Sequence, residues 1–504
     1  MLIRIALSQI SPRTGDIEGN TSRILGWIEQ ARKQEADVVV FPEMSVCGYC
    51  LDEKLMISRR FLAQNKEAVA RQIAPASRGL AVIVGFLDYD ETQTGADGFW
   101  ARYNGAALCV DGHWVQTIHK CLLPNYRYFD DRRYFQPGTP GQVLALPLRG
   151  REVKVGLQIC EDLFDEYYSI KPTEALARAG SEVIITISAS PYVCSLPGQM
   201  DGKRFQRDAL LRRHVTEQRL PMVFVNTVGL GDNGKNLIPF DGGSVAYDGT
   251  GRLVASAGQF HERQVVAELD LDSGTGTPIE DDPFDREAEM FEALAMSVRE
   301  YFQQQGHFSG ILESLSGGVD SALGTAIAVA AVGPEGVAAL SLPSRHNSEV
   351  TQSAARKVAE NLGIEYHVVP IQPIVDCMTQ SFETGLGPVK RAATLENLQA
   401  RIRGMILMAR SNDRNELLLS NGNETEIATG YSTLYGDMCG GIAVIGDVSK
   451  MDVYRLARYV NRRWGRPIIP AEVFEVQPSA ELAPGQVDPF DYPVVSPMIA
   501  EFIE

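Results

Sequence analysis

The sequence predicts two α/β domains in one chain, the second built on a doubly wound parallel sheet, and three observations carry this. At 504 residues the chain exceeds what one hydrophobic core usually supports, so two domains of roughly 200 to 270 residues are expected. In both halves, apolar runs of strand length alternate with longer runs whose apolar residues recur at helical spacing, the pattern of sheets covered by helices. Between the halves, Asp270 to Asp285 has neither period and collects Gly, Pro and acidic residues, which marks a boundary. The expected division is 1–272, a linker over 273–285, and 286–504.

In the first half, strands are expected at Ile3–Ser8, Asp37–Phe41, Ala81–Phe86, Asn104–Val110, Val153–Gln158 and Val183–Ser188. Helices are expected at Asn20–Gln34, Lys66–Ser77 and Glu174–Ala179. In the second half an amphipathic helix over Arg286–Gln305 leads into a buried strand, Phe308–Leu315. A helix at Ala322–Val332, a strand at Val337–Leu342, a helix at Glu349–Leu362 and a strand at Ile364–Ile371 follow. A helix after Pro373, a long one at Leu395–Ser411 and a strand at Leu417–Ser420 complete the series. Repeated βα units ask for parallel strands with helices on both faces.

Composition narrows the function. Hydrophobic residues make up 44% and charged residues 22%, which excludes disordered and collagen-like classes. The net charge of −17, with no long Lys/Arg cluster, opposes binding to nucleic acid or anionic membrane. No apolar run is long enough to span a bilayer, and Met1–Leu7 resembles a strand more than a signal peptide. Eight scattered cysteines fit a reducing cytoplasm better than a disulfide framework. Cys47-Gly48-Tyr49-Cys50 has CxxC spacing but no second pair to complete a zinc site.

Leu315-Ser316-Gly317-Gly318-Val319-Asp320-Ser321 is a glycine-rich turn between a strand and a helix. Two glycines let backbone N–H groups close on an oxyanion, and the first helical turn adds partial positive charge, so pyrophosphate is the natural guest. No Gly-Lys-Ser/Thr sequence follows, which argues against γ-phosphoryl transfer. Ligands of parallel sheets lie beyond the carboxyl ends of strands. The loops at Ser316, Pro343-Ser344-Arg345 and Asn421-Gly422-Asn423 all fall there. In the first half, Glu43, Lys120 and Cys160 each stand just after a strand. A carboxylate, an ammonium and a thiol suit amide cleavage through a thioester: the thiol attacks, the carboxylate moves protons and the ammonium stabilises the oxyanion.

Ser316-Gly317-Gly318-Val319-Asp320-Ser321 resembles the pyrophosphate loop of the ATP-pyrophosphatase superfamily, whose members adenylate a carboxylate or carbonyl. Phe41-Pro42-Glu43, His119-Lys120-x-x-Leu123-Pro124-Asn125-Tyr126 and Ile159-Cys160-Glu161-Asp162 resemble the catalytic segments of the nitrilase superfamily. That resemblance implies an αββα sandwich with Cys160 as nucleophile, Glu43 as general base and Lys120 as oxyanion stabiliser. Phe129-Asp130, Arg133-Tyr134-Phe135 and Ser188-Ala189-Ser190-Pro191-Tyr192 resemble its glutaminase branch, which implies that Tyr126, Ser190 and Lys203 hold glutamine. Asp131 replaces that branch's usual Glu, and 193–201 looks inserted.

The second half resembles NAD synthetases, with an adenine nucleotide α-hydrolase-like fold. The matching motifs are Leu342-Pro343-Ser344-Arg345, Glu396-Asn397-x-Gln399-Ala400-Arg401-x-Arg403, Ser420-Asn421-Gly422-Asn423-Glu424-Thr425-Glu426, Leu434-Tyr435-Gly436-Asp437-Met438-x-Gly440-Gly441 and Gly446-Asp447-Val448-x-Lys450. Taken together, nearly the whole chain is similar to the glutamine-dependent NAD(+) synthetase family. The resemblance implies ATP binding by Ser314, Leu315, Ser316, Gly317, Gly318, Val319, Asp320, Ser321 and Asn421. It implies deamido-NAD contacts at Asn397 and Glu426, Mg²⁺ on Asp320 and Glu426, glutamine as ammonia donor, and a homo-oligomer. Arg401 and Arg403 are left outside the site as possible solvated helix residues. Glu313-Ser314 and Asn421 depart from the family pattern, and the sequence stops at Glu504, short of the usual extension, whose contacts are expected to be absent or replaced. Another acceptor, or an amidase whose second domain senses nucleotide, are the alternatives.

Overall fold

The computed structural model describes residues 1–503. The chain divides into two compact units, Met1–Arg286 and Glu287–Glu504.

The first unit holds two sheets. One has seven strands, β1 (Leu2–Gln9), β2 (Val38–Val40), β3 (Ala81–Thr94), β4 (Trp100–Val110), β5 (His113–His119), β14 (Arg263–Asp270) and β15 (Thr275–Gly276), ordered β15-β14-β1-β2-β3-β4-β5. The other has β6 (Val143–Leu148), β7 (Arg151–Ile159), β8 (Val183–Ser188), β9 (Met222–Asn226), β12 (Val245–Tyr247) and β13 (Leu253–Ser256), ordered β13-β12-β9-β8-β7-β6. A ribbon of β10 (Val228–Asp232) and β11 (Leu237–Asp241) stands apart from both sheets. Strand side chains alternate between faces. Thus Ile3, Ile5, Leu7, Val38 and Ile83 of one sheet meet Val155, Leu157, Val183, Ile185 and Val223 of the other in a shared core. The outer face of the first sheet is covered through Val39, Val82 and Val84 by Ile24 and Ile28 of the Ile17–Lys33 helix. The outer face of the second is covered by Leu176, Leu211 and Val215. This is the expected αββα sandwich.

Local chemistry fixes the helix ends. Asp16 caps the Ile17–Lys33 helix by accepting from Gly19 N–H at 2.9 Å, and Arg32 and Lys33 close its last turn. The helix expected over 66–77 begins earlier, at Arg59, where Ser58 Oγ accepts from Phe61 N–H, and passes through a π turn over Val69–Ile73. The Lys203–Gln218 helix is unforeseen. Its buried face carries Arg207 and His214 beside Leu211 and Val215, so the apolar period is broken by polar residues that find buried partners. Residues 273–285, expected as a linker, belong to the first unit. Thr275–Gly276 pairs with β14, and Ile279 N–H donates to Leu253 O at 2.8 Å.

The second unit carries five parallel strands, β16 (Gly310–Ser314), β17 (Val337–Ser341), β18 (Glu365–Val368), β19 (Glu416–Ser420) and β20 (Ile442–Ala443), ordered β18-β17-β16-β19-β20. The helices Val319–Val332, Glu349–Leu362 and Lys450–Trp464 pack one face around Ile311, Ala339 and Leu417. Gln372–Leu386 and Ala392–Arg414 pack the other around Leu312, Leu340 and Leu418. The order reverses direction at β16, so the Ser316 loop lies at the switch point of a doubly wound sheet.

Candidate functional sites

In the first unit, Glu43, Lys120 and Cys160 converge inside the protein. Glu43 and Lys120 are wholly buried and Cys160 is 3% exposed. The Lys120 ammonium donates to Glu43 Oε1 and to Asp131 Oδ2, both at 2.8 Å. Glu43 also accepts from Asn104 Nδ2 at 2.6 Å and from Ala189 N–H at 2.7 Å, which fixes both of its oxygens. Burial alone would pull the Lys120 ammonium down, but the Asp131 and Glu43 carboxylates outweigh it and hold it well above the usual lysine range. Asp131, one methylene shorter than the expected Glu, still reaches Lys120, and its other oxygen accepts from Tyr49 OH at 2.6 Å.

Cys160 opens a 3-10 turn after β7 with φ +48°, a backbone state unusual for a side-chain-bearing residue. The turn is tied down by Asp162, which accepts from Ile159 N–H at 3.0 Å, Cys121 N–H at 3.0 Å and Leu122 N–H at 2.7 Å. One carboxylate thereby fastens the Cys160 turn to the segment after Lys120. Burial and the Glu43 carboxylate push the Cys160 thiol up, while Lys120 pulls it down. Glu43 and Lys120 thus bias the sulfur's proton in opposite directions from within the same buried cluster.

The three residues expected to hold glutamine surround this centre. Tyr126 OH donates to Glu161 at 3.0 Å, and Tyr168 OH donates to the same carboxylate at 2.9 Å. The Lys203 ammonium lies 4.0 Å from the centre of the Phe164 ring, and burial pulls it below the usual lysine range with the Glu161 carboxylate opposing. The apparent insertion 193–201 folds back beneath it, with Lys203 N–H donating to Val193 O at 3.0 Å. Ser190 is buried, its backbone bonded in both directions to the Asn226 side chain, and Arg207 Nη1 approaches its hydroxyl at 3.5 Å. Asp131 stands where an auxiliary carboxylate was expected, whereas Glu161, Asp162 and Asn104 take part in the arrangement without having been given a role from the sequence. Glu161 and Asp162 stand inside the quoted cysteine motif, which was the available signal.

In the second unit, a cavity of about 640 Å³ opens beyond the carboxyl ends of β16, β17 and β19. Ser314, Ser316–Ser321, Asn421 and Glu426 all line it. Leu315 does not: it is wholly buried in the core beneath the Val319–Val332 helix, because strand alternation turns its side chain inward. Asn397 is also off the wall, accepting from the hydroxyl of Thr433 at 2.8 Å, and Thr433 lines the cavity in its place. Gly317 has φ +93°, and a Cβ there would lie 2.0 Å from Thr351 O, so only glycine fits. The helix then starts at Val319 with no side-chain cap, leaving first-turn N–H groups for a ligand.

Two acidic residues and a lysine meet at this cavity. Lys450 Nζ donates to Asp320 Oδ2 at 2.5 Å and to Glu426 Oε1 at 3.4 Å. Asn423 Nδ2 donates to Asp320 Oδ1 at 2.9 Å, and Asn423 and Glu426 cap each other at the start of the Glu424–Thr429 helix. Burial, then the Asp320 charge, push Glu426 up to about 7, with Lys450 opposing. Two carboxylates that already share one cation suit a hard divalent ion. Among the described residues no three His, Cys, Asp or Glu groups could hold a metal alone, so phosphate oxygens and water would complete such a shell. Lys450 stood in a quoted motif without a role. Arg403, left aside as solvated, lines the cavity and donates to Leu342 O at 2.9 Å and Asn347 Oδ1 at 3.1 Å, while burial pulls it down to about 10. Arg401 instead donates to Leu434 O at 3.2 Å from an exposed position. Residues 476–483 of the tail also line the cavity, and Glu481 holds them there by accepting from Asn347 Nδ2 and Thr351 Oγ1, both at 2.9 Å.

Comparison with known proteins agrees with this arrangement. Residues 4–278 match the carbon-nitrogen hydrolase family model and residues 290–503 the NAD synthase model. The chain is 36% identical over 496 residues to the glutamine-dependent NAD(+) synthetase of Synechocystis, covering 97% of this chain and 85% of that one. It is 36% identical over 522 residues to that of Thermotoga maritima, covering 96% and 85%. The solved glutamine-dependent NAD+ synthetase of Acinetobacter baumannii, in complex with adenosine diphosphate, superimposes with a TM-score of 0.85 at 33% identity, covering 100% of this chain and 93% of that one. The chain belongs to the glutamine-dependent NAD(+) synthetase family.

Proposed function

We propose that the two sites divide one reaction, in which deamido-NAD, ATP and L-glutamine give NAD, AMP, pyrophosphate and L-glutamate. The enzyme is an ATP-dependent, glutamine-utilising NAD synthetase; the assignment of steps to residues is our reading. At the first site Cys160 Sγ attacks the glutamine side-chain carbonyl as Glu43 takes the thiol proton. Lys120 donates to the oxyanion, and the proton passes from Glu43 to the departing ammonia. Water, deprotonated by Glu43, then releases glutamate from the thioester. Tyr126, Ser190 and Lys203 would hold the glutamine head groups, with Glu161 orienting the Tyr126 phenol.

At the second site the nicotinate carboxylate of deamido-NAD attacks the α-phosphorus of ATP and the bond to the β-phosphate breaks, giving an acyl adenylate and pyrophosphate. Ammonia then adds to the acyl carbon and AMP leaves. A free carboxylate is a poor electrophile; the adenylate supplies the missing leaving group. The Gly317–Ser321 backbone and Lys450 would cradle phosphate oxygens. Mg²⁺ would be held by Asp320 and Glu426 and would neutralise phosphate charge.

The observation that supports this reading is the presence in one chain of a dry Glu–Lys–Cys cluster and a nucleotide-sized cavity at a glycine-rich helix start. We further read the enzyme as a cytoplasmic homo-oligomer. Exposed Met378, Phe382 and Leu386 on one helix, and Met405 and Met408 on the helix packed beside it, support the assembly. No helix among the described residues is long and apolar enough to cross a membrane. The test is stoichiometric: with deamido-NAD, ATP, Mg²⁺ and glutamine, AMP and pyrophosphate should each form one for one with NAD. NAD formation accompanied by ADP and phosphate instead would refute the adenylate.

A further inference from the structure

Strand alternation places Glu313 of β16 on the same face as Ile311 and Leu315, beneath the Val319–Val332 helix. Its carboxyl is wholly buried. Oε2 accepts from Asn421 Nδ2 at 2.7 Å. Oε1 has no partner, and neither has Asn421 Oδ1, the other polar atom of the same carboxamide. That carboxamide is wedged over Gly324, where a Cβ would lie 1.9 Å from Oδ1, and Asn421 itself lines the nucleotide cavity.

No cation serves Glu313. Of the charged groups on the cavity wall and the neighbouring strand, Asp320 and Glu426 both bond Lys450 and Glu416 pairs with Arg410, while on the helices packed over this face Lys357 and Arg463 pair with Glu472 and Glu292. None of these moves its titration. Burial pushes it up to about 8, opposed only by the hydrogen bond from Asn421. A carboxylate in such a place, with one neutral hydrogen bond and no counter-ion, is costly, whereas a carboxylic acid is not. The acid also brings a donor to a pair whose two orphaned atoms are both acceptors when Glu313 is ionised.

We propose that Glu313 is a positioning residue for the nucleotide site, acting as an uncharged carboxylic acid that orients the Asn421 carboxamide from behind the cavity wall. This rests on reading the cavity as the ATP site. Glu313 touches no substrate; it sets which atoms of Asn421 are free to face the nucleotide. Ionising it removes the donor that the acid would offer to Asn421 Oδ1, leaving Nδ2 as the only atom of the carboxamide bonded to Glu313, and places a buried negative charge near bound phosphates.

The test is ATP binding to the full chain with Mg²⁺ by equilibrium dialysis from pH 7 to 9. Relative to Glu313→Gln, which cannot ionise and should bind as wild type does at pH 7, wild-type affinity should fall about tenfold across that range; the titration of Glu426 near 7 is common to both and cancels in the ratio. Glu313→Leu, with no hydrogen-bond partner for Asn421, should bind about fivefold more weakly than Glu313→Gln at pH 7. Asn421→Ala should flatten the slope without disturbing the buried strand. A wild-type slope retained in Glu313→Gln or Asn421→Ala, or Glu313→Leu equal to Glu313→Gln, overturns the proposal. No ATP binding by the wild type would instead refute the cavity assignment and the proposal with it.

Discussion

The two sites are built on opposite principles. At the first, the protein supplies both signs of charge and every hydrogen bond: Glu43, Lys120 and Asp131 have no exposed surface and satisfy one another. At the second, Asp320 and Glu426 share a single ammonium, Arg403 faces the cavity with only backbone and amide acceptors, and the helix start has no cap. The first centre is organised before any substrate arrives, its carboxylates and ammonium already held in place. The second is left electrically incomplete, and on the proposed reading ATP with a cation would complete it. Preorganisation lowers the reorganisation cost of a reaction; incompleteness reserves binding energy for the substrate.

The largest effect that could break this contrast is in the second unit. Asp320→Asn should cut NAD formation about 10² to 10³-fold with either glutamine or ammonium as donor, while glutaminase activity measured as glutamate release persists. Loss confined to the glutamine-supported rate would place Asp320 in the wrong reaction. In the first unit, Lys120→Met leaves two buried carboxylates without their cation. It should remove glutamine hydrolysis and lower stability by about 3 to 5 kcal/mol, the usual result of stripping one partner from a buried ion pair. An unchanged denaturation midpoint would mean that the cluster is less dry than its burial implies. Gly317→Ala forces a Cβ against Thr351 O at a backbone angle side chains avoid, and ATP affinity should fall about tenfold; wild-type affinity would show that the loop can move aside.

The last effect concerns pH. Burial pushes the Glu313 carboxyl from the ordinary 4.5 up to about 8, so the native state retains a proton that the unfolded chain gives up. Stability is therefore lost as pH rises from about 4.5 to about 8 and is level above. Glu313→Gln should raise the melting temperature relative to wild type by an amount that grows over that window and reaches the order of ten degrees at its upper end. A pH-independent difference would contradict it.

Much of both sites is legible in the sequence because their residues stand in short contiguous motifs just after strands. Glu43, Lys120 and Cys160 each follow an apolar run, and the Ser316–Ser321 loop follows β16, so periodicity alone puts them at sheet ends. What escapes is pairing across distance. Glu313 and Asn421 are visible separately as departures from a family pattern, but only the parallel register of β16 and β19 sets them side by side. Lys450 comes from a helix 130 residues after Asp320. The Lys203–Gln218 helix escapes because Arg207 takes a core position, made tolerable by Asp241 on β11, and a charged residue at a buried position defeats an apolar count. Leu315 errs the other way: it belongs to the motif by position, but alternation sends it into the core.

The central claim, that a thiol in one unit generates the ammonia consumed in the other, is tested most directly by assaying NAD formation by Cys160→Ala with each nitrogen donor. The account predicts that glutamine supports no measurable synthesis while ammonium supports a rate within about twofold of wild type, since Cys160→Ala leaves the second site's residues untouched. Glutamine-supported synthesis that survives the substitution, or ammonium-supported synthesis lost in a folded variant, would contradict it.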